Sequence, residues 1–134
     1  MLTLEPFDAW LGMLRKASFA YRDLMGVDKW TTWNPAYSFT TATSLTVSGR
    51  YHVAGRRCAF QVKTTGTSLA TTAGTSYITL PLTAGGYGGL CLMTNDTTNV
   101  AVGVGHIDVA NSRAYPPTQG ASGNDFIIAG WYEV

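Results

Sequence analysis

The feature that most constrains this chain is a change of hydrophobic period at Trp30. Beyond it, apolar residues recur at alternate positions in short runs: TSLTV, CAFQV, SYITL, GLCLMT, VAVGVGHIDV and DFIIAGWYEV. A period of two is the pleat of a β-strand, whose successive side chains point to opposite faces. Clusters of Gly, Asn, Asp, Ser and Thr separate the runs, as turns require. Val100, Val102 and Val104 alternate with Ala101, Gly103 and Gly105, which predicts a half-buried strand. Asn95–Asn99 predicts a short hairpin connection. Tyr115–Gly123 reads as a loop, because Pro116 and Pro117 cannot donate to a sheet ladder. No strand–helix alternation is present, which excludes a parallel α/β fold. The expected fold is all-β over residues 30–134, an antiparallel β-sandwich or jelly-roll-like domain of about seven strands.

Before Trp30 the pattern is helical. Residues 4–25 hold no β-branched residue, and their one proline, Pro6, falls in the first turn, where its missing N–H costs nothing. Thr3 is a suitable N-cap, Glu5 suits the positive end, and Gly26 is a natural stop. Such a helix would be about 30 Å long. Phe7, Trp10, Leu14, Ala17, Tyr21 and Leu24 follow steps of three and four, the a/d seam of a heptad, and Leu11, Ser18 and Met25 widen the stripe. Two readings stay open. The stripe folds onto its own domain as an amphipathic helix, or it serves self-association or docking through Phe7, Trp10, Leu11, Leu14, Tyr21 and Leu24. Residues 1–29 are accordingly read as an attachment or oligomerisation segment, separate from the β-domain.

Charge excludes several partners. Only 13% of residues are charged and the net charge is +1, so no strong field exists to hold nucleic acid or an anionic membrane. Arg50, Arg56, Arg57 and Lys63 are the only basic concentration. Along the run, Arg57, Ala59, Gln61 and Lys63 share one face while Cys58, Phe60 and Val62 share the other, an ordinary solvent face over a core face. MLTLEPFDAW carries acids where a secretory leader carries bases, and no apolar run reaches membrane-span length. The chain is therefore expected to fold in a cytoplasm, with Cys58 and Cys91 as buried free thiols.

Catalytic patterns are not recognisable. Beyond residue 29 the acids are Asp96, Asp108, Asp125 and Glu133, with Asp96 in the predicted turn and Glu133 beside the C-terminus, a poor basis for a carboxylate pair. His52 and His106 are isolated, no serine sits in a G-x-S-x-G elbow, and Gly85–Gly89 lacks the lysine and following helix of a phosphate loop. No catalytic, cofactor or metal role is expected for any residue. Tyr87, within Gly85–Gly89, and Tyr115 are the expected loop contacts.

Several motifs recur in a telling order: Trp33-Asn-Pro35, Leu45–Tyr51, Gly55-Arg56 leading into Cys58–Val62, Ile78–Leu82 with its Leu-Pro, and a closing Ile127–Tyr132. In this order they resemble the β-structured domain of tailed-phage virion proteins, both capsid decoration (cement) proteins and tail-fibre tips. The resemblance covers about residues 33–132, and Cys58-Ala59 departs from its usual apolar β-branched pair. It implies a scaffold turn at Gly49, Arg50, Tyr51, Gly55 and Arg56, with both glycines shaping a reversal and Tyr51 packed into the sandwich. It further implies a homotrimer and a structural role in the virion. The first expectation is a decoration protein bound to the major capsid protein or another virion protein. The alternative is the receptor-binding tip of a short tail fibre recognising a host surface glycan or protein through Tyr87 and Tyr115.

Overall fold

The computed structural model describes residues 11–14, 16 and 29–134. Residues 11–14 and 16 are helical, in keeping with the N-terminal pattern. Phe7, Trp10, Tyr21 and Leu24 lie outside the described residues; Leu11 is half-buried, whereas Leu14 is 48% exposed.

The remainder is all-β and antiparallel. Its strands are β1 (Thr31–Trp33), β2 (Tyr37–Ser38), β3 (Thr41–Thr43), β4 (Thr46–Ala54), β5 (Arg57–Thr65) and β6 (Ser68–Thr71). They continue as β7 (Tyr77–Thr79), β8 (Leu90–Asn95), β9 (Val100–Asp108), β10 (Arg113–Tyr115), β11 (Gln119–Ser122) and β12 (Phe126–Glu133). The sandwich is unequal. One curled sheet holds nine strands in the order β1-β4-β5-β12-β8-β9-β10-β7-β2, and a second holds β11-β6-β3.

The C-terminal strand sits near the middle of the large sheet, paired with β5 on one side (Ile128 with Val62) and β8 on the other (Ile128 with Met93). Strand alternation then builds the core. Cys58, Phe60 and Val62 from β5, Cys91 and Met93 from β8, and Phe126, Ile128 and Tyr132 from β12 all point inward and are fully buried or nearly so. Leu69 of β6 joins this cluster, so the small sheet closes part of the open side. Tyr132 fixes the entry to β8: its hydroxyl donates to the Leu82 carbonyl at 2.8 Å and accepts from the Leu82 amide at 3.0 Å.

The hairpins follow local chemistry. Asn95 Oδ1 accepts the amides of Thr97 and Thr98, both at 3.1 Å, and Asn99 takes a positive φ of 58°, which closes β8 onto β9 as expected. Gly55 has a φ of 62° at the first position of the two-residue β4–β5 turn, where only glycine is unstrained.

Three sequence expectations are corrected. Gly49 shapes no reversal: it lies inside β4, opposite Trp33 of β1, and a Cβ there would come within 2.5 Å of the indole. Its missing side chain makes room for Trp33, which packs edge-on to Tyr51 and Phe60. The stretch Tyr115–Gly123 is only partly a loop, because Gln119–Ser122 pairs with β6 once the two prolines have passed. Tyr115 therefore ends strand β10 and is half-buried instead of lying on a loop.

Candidate outer-face groove

The outward side chains of the large sheet are as informative as the inward ones. Alternation turns Arg50 and His52 of β4, Ala59 and Gln61 of β5, Ala129 and Trp131 of β12, and Leu90 and Leu92 of β8 away from the core. Pairing places them in rows across the strands. His52 faces Ala59, Ala59 faces Trp131, Ala129 faces Leu92, and Leu92 faces Val104 of β9. These rows line an open groove of about 600 Å³ running from Trp30 and His52 to Leu90, Leu92 and Trp131. Gln61 is shared with a smaller hollow of about 280 Å³, lined by Thr32, Ser48, Arg50, Lys63 and Ile127.

The floor of the groove is largely apolar and open to solvent. Leu90 is 66% exposed, Leu92 55% and Trp131 44%, and next to the lining Val104, paired with Leu92, is 54% exposed. A single exposed leucine needs no explanation, but a contiguous set of this kind marks a surface that contacts something. The sequence carries the same message. Strands solvated on one side alternate apolar with polar, whereas strands covered on both sides read as unbroken apolar runs. Leu90–Met93 and Phe126–Tyr132 are such runs, with no polar residue at the outward positions.

Aromatic rings and guanidinium groups organise the margins. Trp30 meets His52 edge-on at 4.5 Å between centroids, and further round the sheet His106 stacks on Tyr115 at 5.0 Å. Arg50 lies over Trp30 at 4.7 Å, Arg57 over Trp131 at 4.2 Å and Arg113 over Tyr77 at 3.9 Å. Each such contact is worth about 0.5–1 kcal/mol at an exposed site and holds both partners in place. Arg50 is further held by Gln61, whose Oε1 accepts from Nε at 2.9 Å and from the guanidinium Nη2 at 2.6 Å. The described acids lie elsewhere. Asp96 and Asp125 approach Lys63 at 3.2 and 3.9 Å, Asp108 accepts from Asn111, and Glu133 accepts the Tyr87 amide. Among the described residues the groove is thus apolar with a cationic rim and no carboxylate in its lining.

The thiols contribute no nucleophile here. Cys58 and Cys91 are free and buried on the opposite face of the same strands. Burial pushes the Cys58 thiol up and the Cys91 thiol up to about 11, so both stay protonated at neutral pH. Among the described residues no group of three or more His, Cys, Asp or Glu side chains is placed to hold a metal.

The residues singled out from sequence scatter. Arg50 lines the smaller hollow and reaches the rim of the groove. Tyr51 points inward against Trp33, and Gly55 and Arg56 form the hairpin tip. Tyr87 is 82% exposed, but its segment is strapped to the C-terminal strand: Glu133 N donates to the Tyr87 carbonyl and Gly85 N to the Glu133 carbonyl. Trp30, Leu90, Leu92 and Trp131 were not singled out, although the unbroken apolar runs pointed to three of them. Comparison of the chain with protein-family models, with curated proteins and with solved structures finds no match.

Proposed function

We propose that this chain is a structural protein of a tailed-phage virion, a trimeric capsid decoration protein that stabilises the shell by covering subunit junctions. The supporting observation is the exposed apolar outer face around Leu90, Leu92, Val104 and Trp131 on an otherwise well-filled β-domain. A protein whose task is attachment needs such a face, because apolar area removed from water supplies its binding free energy, about 25 cal/mol per Å² before the costs of association. Decoration then stabilises the shell by mass action, since only the assembled lattice presents the site. The motif order from Trp33-Asn-Pro35 to Trp131-Tyr132 gives this reading its virion context. In it the partners are the major capsid protein and other copies of the chain, and the chain is made in the host cytoplasm.

One observation favours a second reading, the tip of a short tail fibre. Tyr87 projects from a glycine-rich strap held by backbone bonds, a rigid aromatic presented to solvent that suits a host glycan or protein surface.

Immunogold labelling of virions from a phage that encodes the chain separates these readings. Label over the head supports decoration, and label confined to the tail end moves the protein to the fibre reading. Intact virions that carry none of the chain would end both.

A further inference from the structure

We infer that the outer-face groove of one copy seats the N-terminal helix of a neighbouring copy, so that helix exchange builds the oligomer. This deepens the decoration reading by naming the self-contact, and it rests on that reading for its biological setting alone. Two apolar surfaces belong to one chain, and among the described residues neither covers the other. On the helical segment Met13 is 68% exposed and Leu14, a seam residue, 48%. On the sheet Leu90 and Leu92 are exposed by 66% and 55%. A chain whose helix packed on its own groove would bury both sets. Two complementary apolar faces left open within one molecule are satisfied between molecules.

Charge and size agree. Residues 1–14 contain Glu5 and Asp8 and no Lys or Arg, while the groove carries Arg57 and, at its rim, Arg50. The acidic half of the segment therefore complements the cationic groove. A helix over residues 4–25 would be about 30 Å long. The six neighbouring strands β1-β4-β5-β12-β8-β9 span about 24 Å at roughly 4.8 Å per strand. A contact between unlike surfaces is also directional, helix of one copy to groove of the next, and closes into a ring when the rotation per copy divides a full turn. Such a ring gives the trimer its threefold axis without a helical bundle at the centre.

The test uses full-length chains and solution mass by light scattering, with circular dichroism to confirm that each variant keeps its sheet. Leu14→Asp breaks the helix face and Leu92→Asp breaks the groove. Leu90→Lys is a second groove variant, should Leu92→Asp not fold. The wild type should have the mass of three chains and each variant the mass of one. Mixing Leu14→Asp with Leu92→Asp should restore a one-to-one complex, because the first keeps an intact groove and the second an intact helix. A folded groove variant that stays trimeric would show the helices bundling with each other and would overturn the inference. So would a monomeric wild type, or a mixture that remains monomeric. None of these results bears on whether the protein sits on a capsid, which the labelling experiment reads independently.

Discussion

The two faces of the nine-stranded sheet differ less in composition than in cover. The inner face presents Cys58, Phe60, Val62, Met93, Ile128 and Tyr132, none more than 1% exposed. On the same strands the outer face presents Ala59, Leu92, Ala129 and Trp131, each next in sequence to an inner residue, with Leu92 and Trp131 open to water. The inner face is closed within the chain by Leu69 of the small sheet and by the Leu80–Ala84 segment. The outer face has no such cover among the described residues. Apolar character thus marks which strand faces can be buried, while topology decides which of them the chain itself covers.

The largest expected effect separates the faces by a pair of truncations. Phe60→Ala removes a ring packed against Trp33 and Tyr132 and should cost about 3–5 kcal/mol in denaturant unfolding. Trp131→Ala on the outer face loses mainly its contact with Arg57 and should cost the isolated domain about 1 kcal/mol or less. Equal losses at the two positions would mean that the outer face is part of the folding core.

Next in size is a test of how dry the inner face is. The Cys91 thiol is raised from 9.0 to about 11 by burial between Gly105 and the Tyr115 carbonyl. A thiol raised on folding stabilises the protein fully below its unfolded value and loses that contribution as pH climbs through the folded one. Stability should therefore hold to about pH 8.5 and then decline by about 2–3 kcal/mol towards pH 11 from this group alone. In Cys91→Ala the decline should be shallower by that amount, as measured by urea unfolding at stepped pH. Parallel curves for the two proteins would mean that the thiol is solvated.

Gly49→Val probes the seam where the Trp33 side chain of β1 lies against Gly49 of β4. The new side chain must displace the Trp33 indole, which a Cβ alone approaches to 2.5 Å, and overpacking of this kind costs about 1–3 kcal/mol. The tryptophan emission, to which Trp33 contributes with Trp10, Trp30 and Trp131, should shift red as the Trp33 ring leaves Tyr51 and Phe60. An unshifted spectrum with wild-type stability would show that the strand tolerates the side chain and that the glycine is incidental.

How much of this was legible in the sequence follows from what period two can encode. Alternation in CAFQV and DFIIAGWYEV gave the inner face directly, and the helical spacing gave the segment holding Leu11 and Leu14. Strand order was not readable, because a period assigns a face and says nothing of which strand lies beside which. For that reason Gly49 looked like a turn residue: its partner Trp33 stands 16 positions away and meets it only through β1–β4 pairing. The short strand β11 was hidden by Pro116 and Pro117, whose exclusion from ladders ends two residues before Gln119. The groove was half visible. Leu90 and Leu92 flank Cys91 in an unbroken apolar run, but Trp30 joins them only because β1, which it precedes, pairs along the free edge of β4.

The smallest expected effect falls on a residue that serves neither face. Gly55 turns β4 into β5 with a φ of 62°, and a Cβ built there has nothing within 4 Å. Gly55→Ala therefore meets no steric obstacle, and its cost is the left-handed backbone alone, about 1 kcal/mol. Thermal unfolding should show a small drop with no change in the near-ultraviolet signal of the core aromatics. In solution mass the variant should match the wild type, since Gly55 and Arg56 are not among the residues that line the groove. Were this substitution to dissociate the proposed oligomer, the turn at Gly55-Arg56 would itself lie in the contact, and the proposed division into a chain-covered inner face and a partner-covered outer face would have to include the end of the sheet.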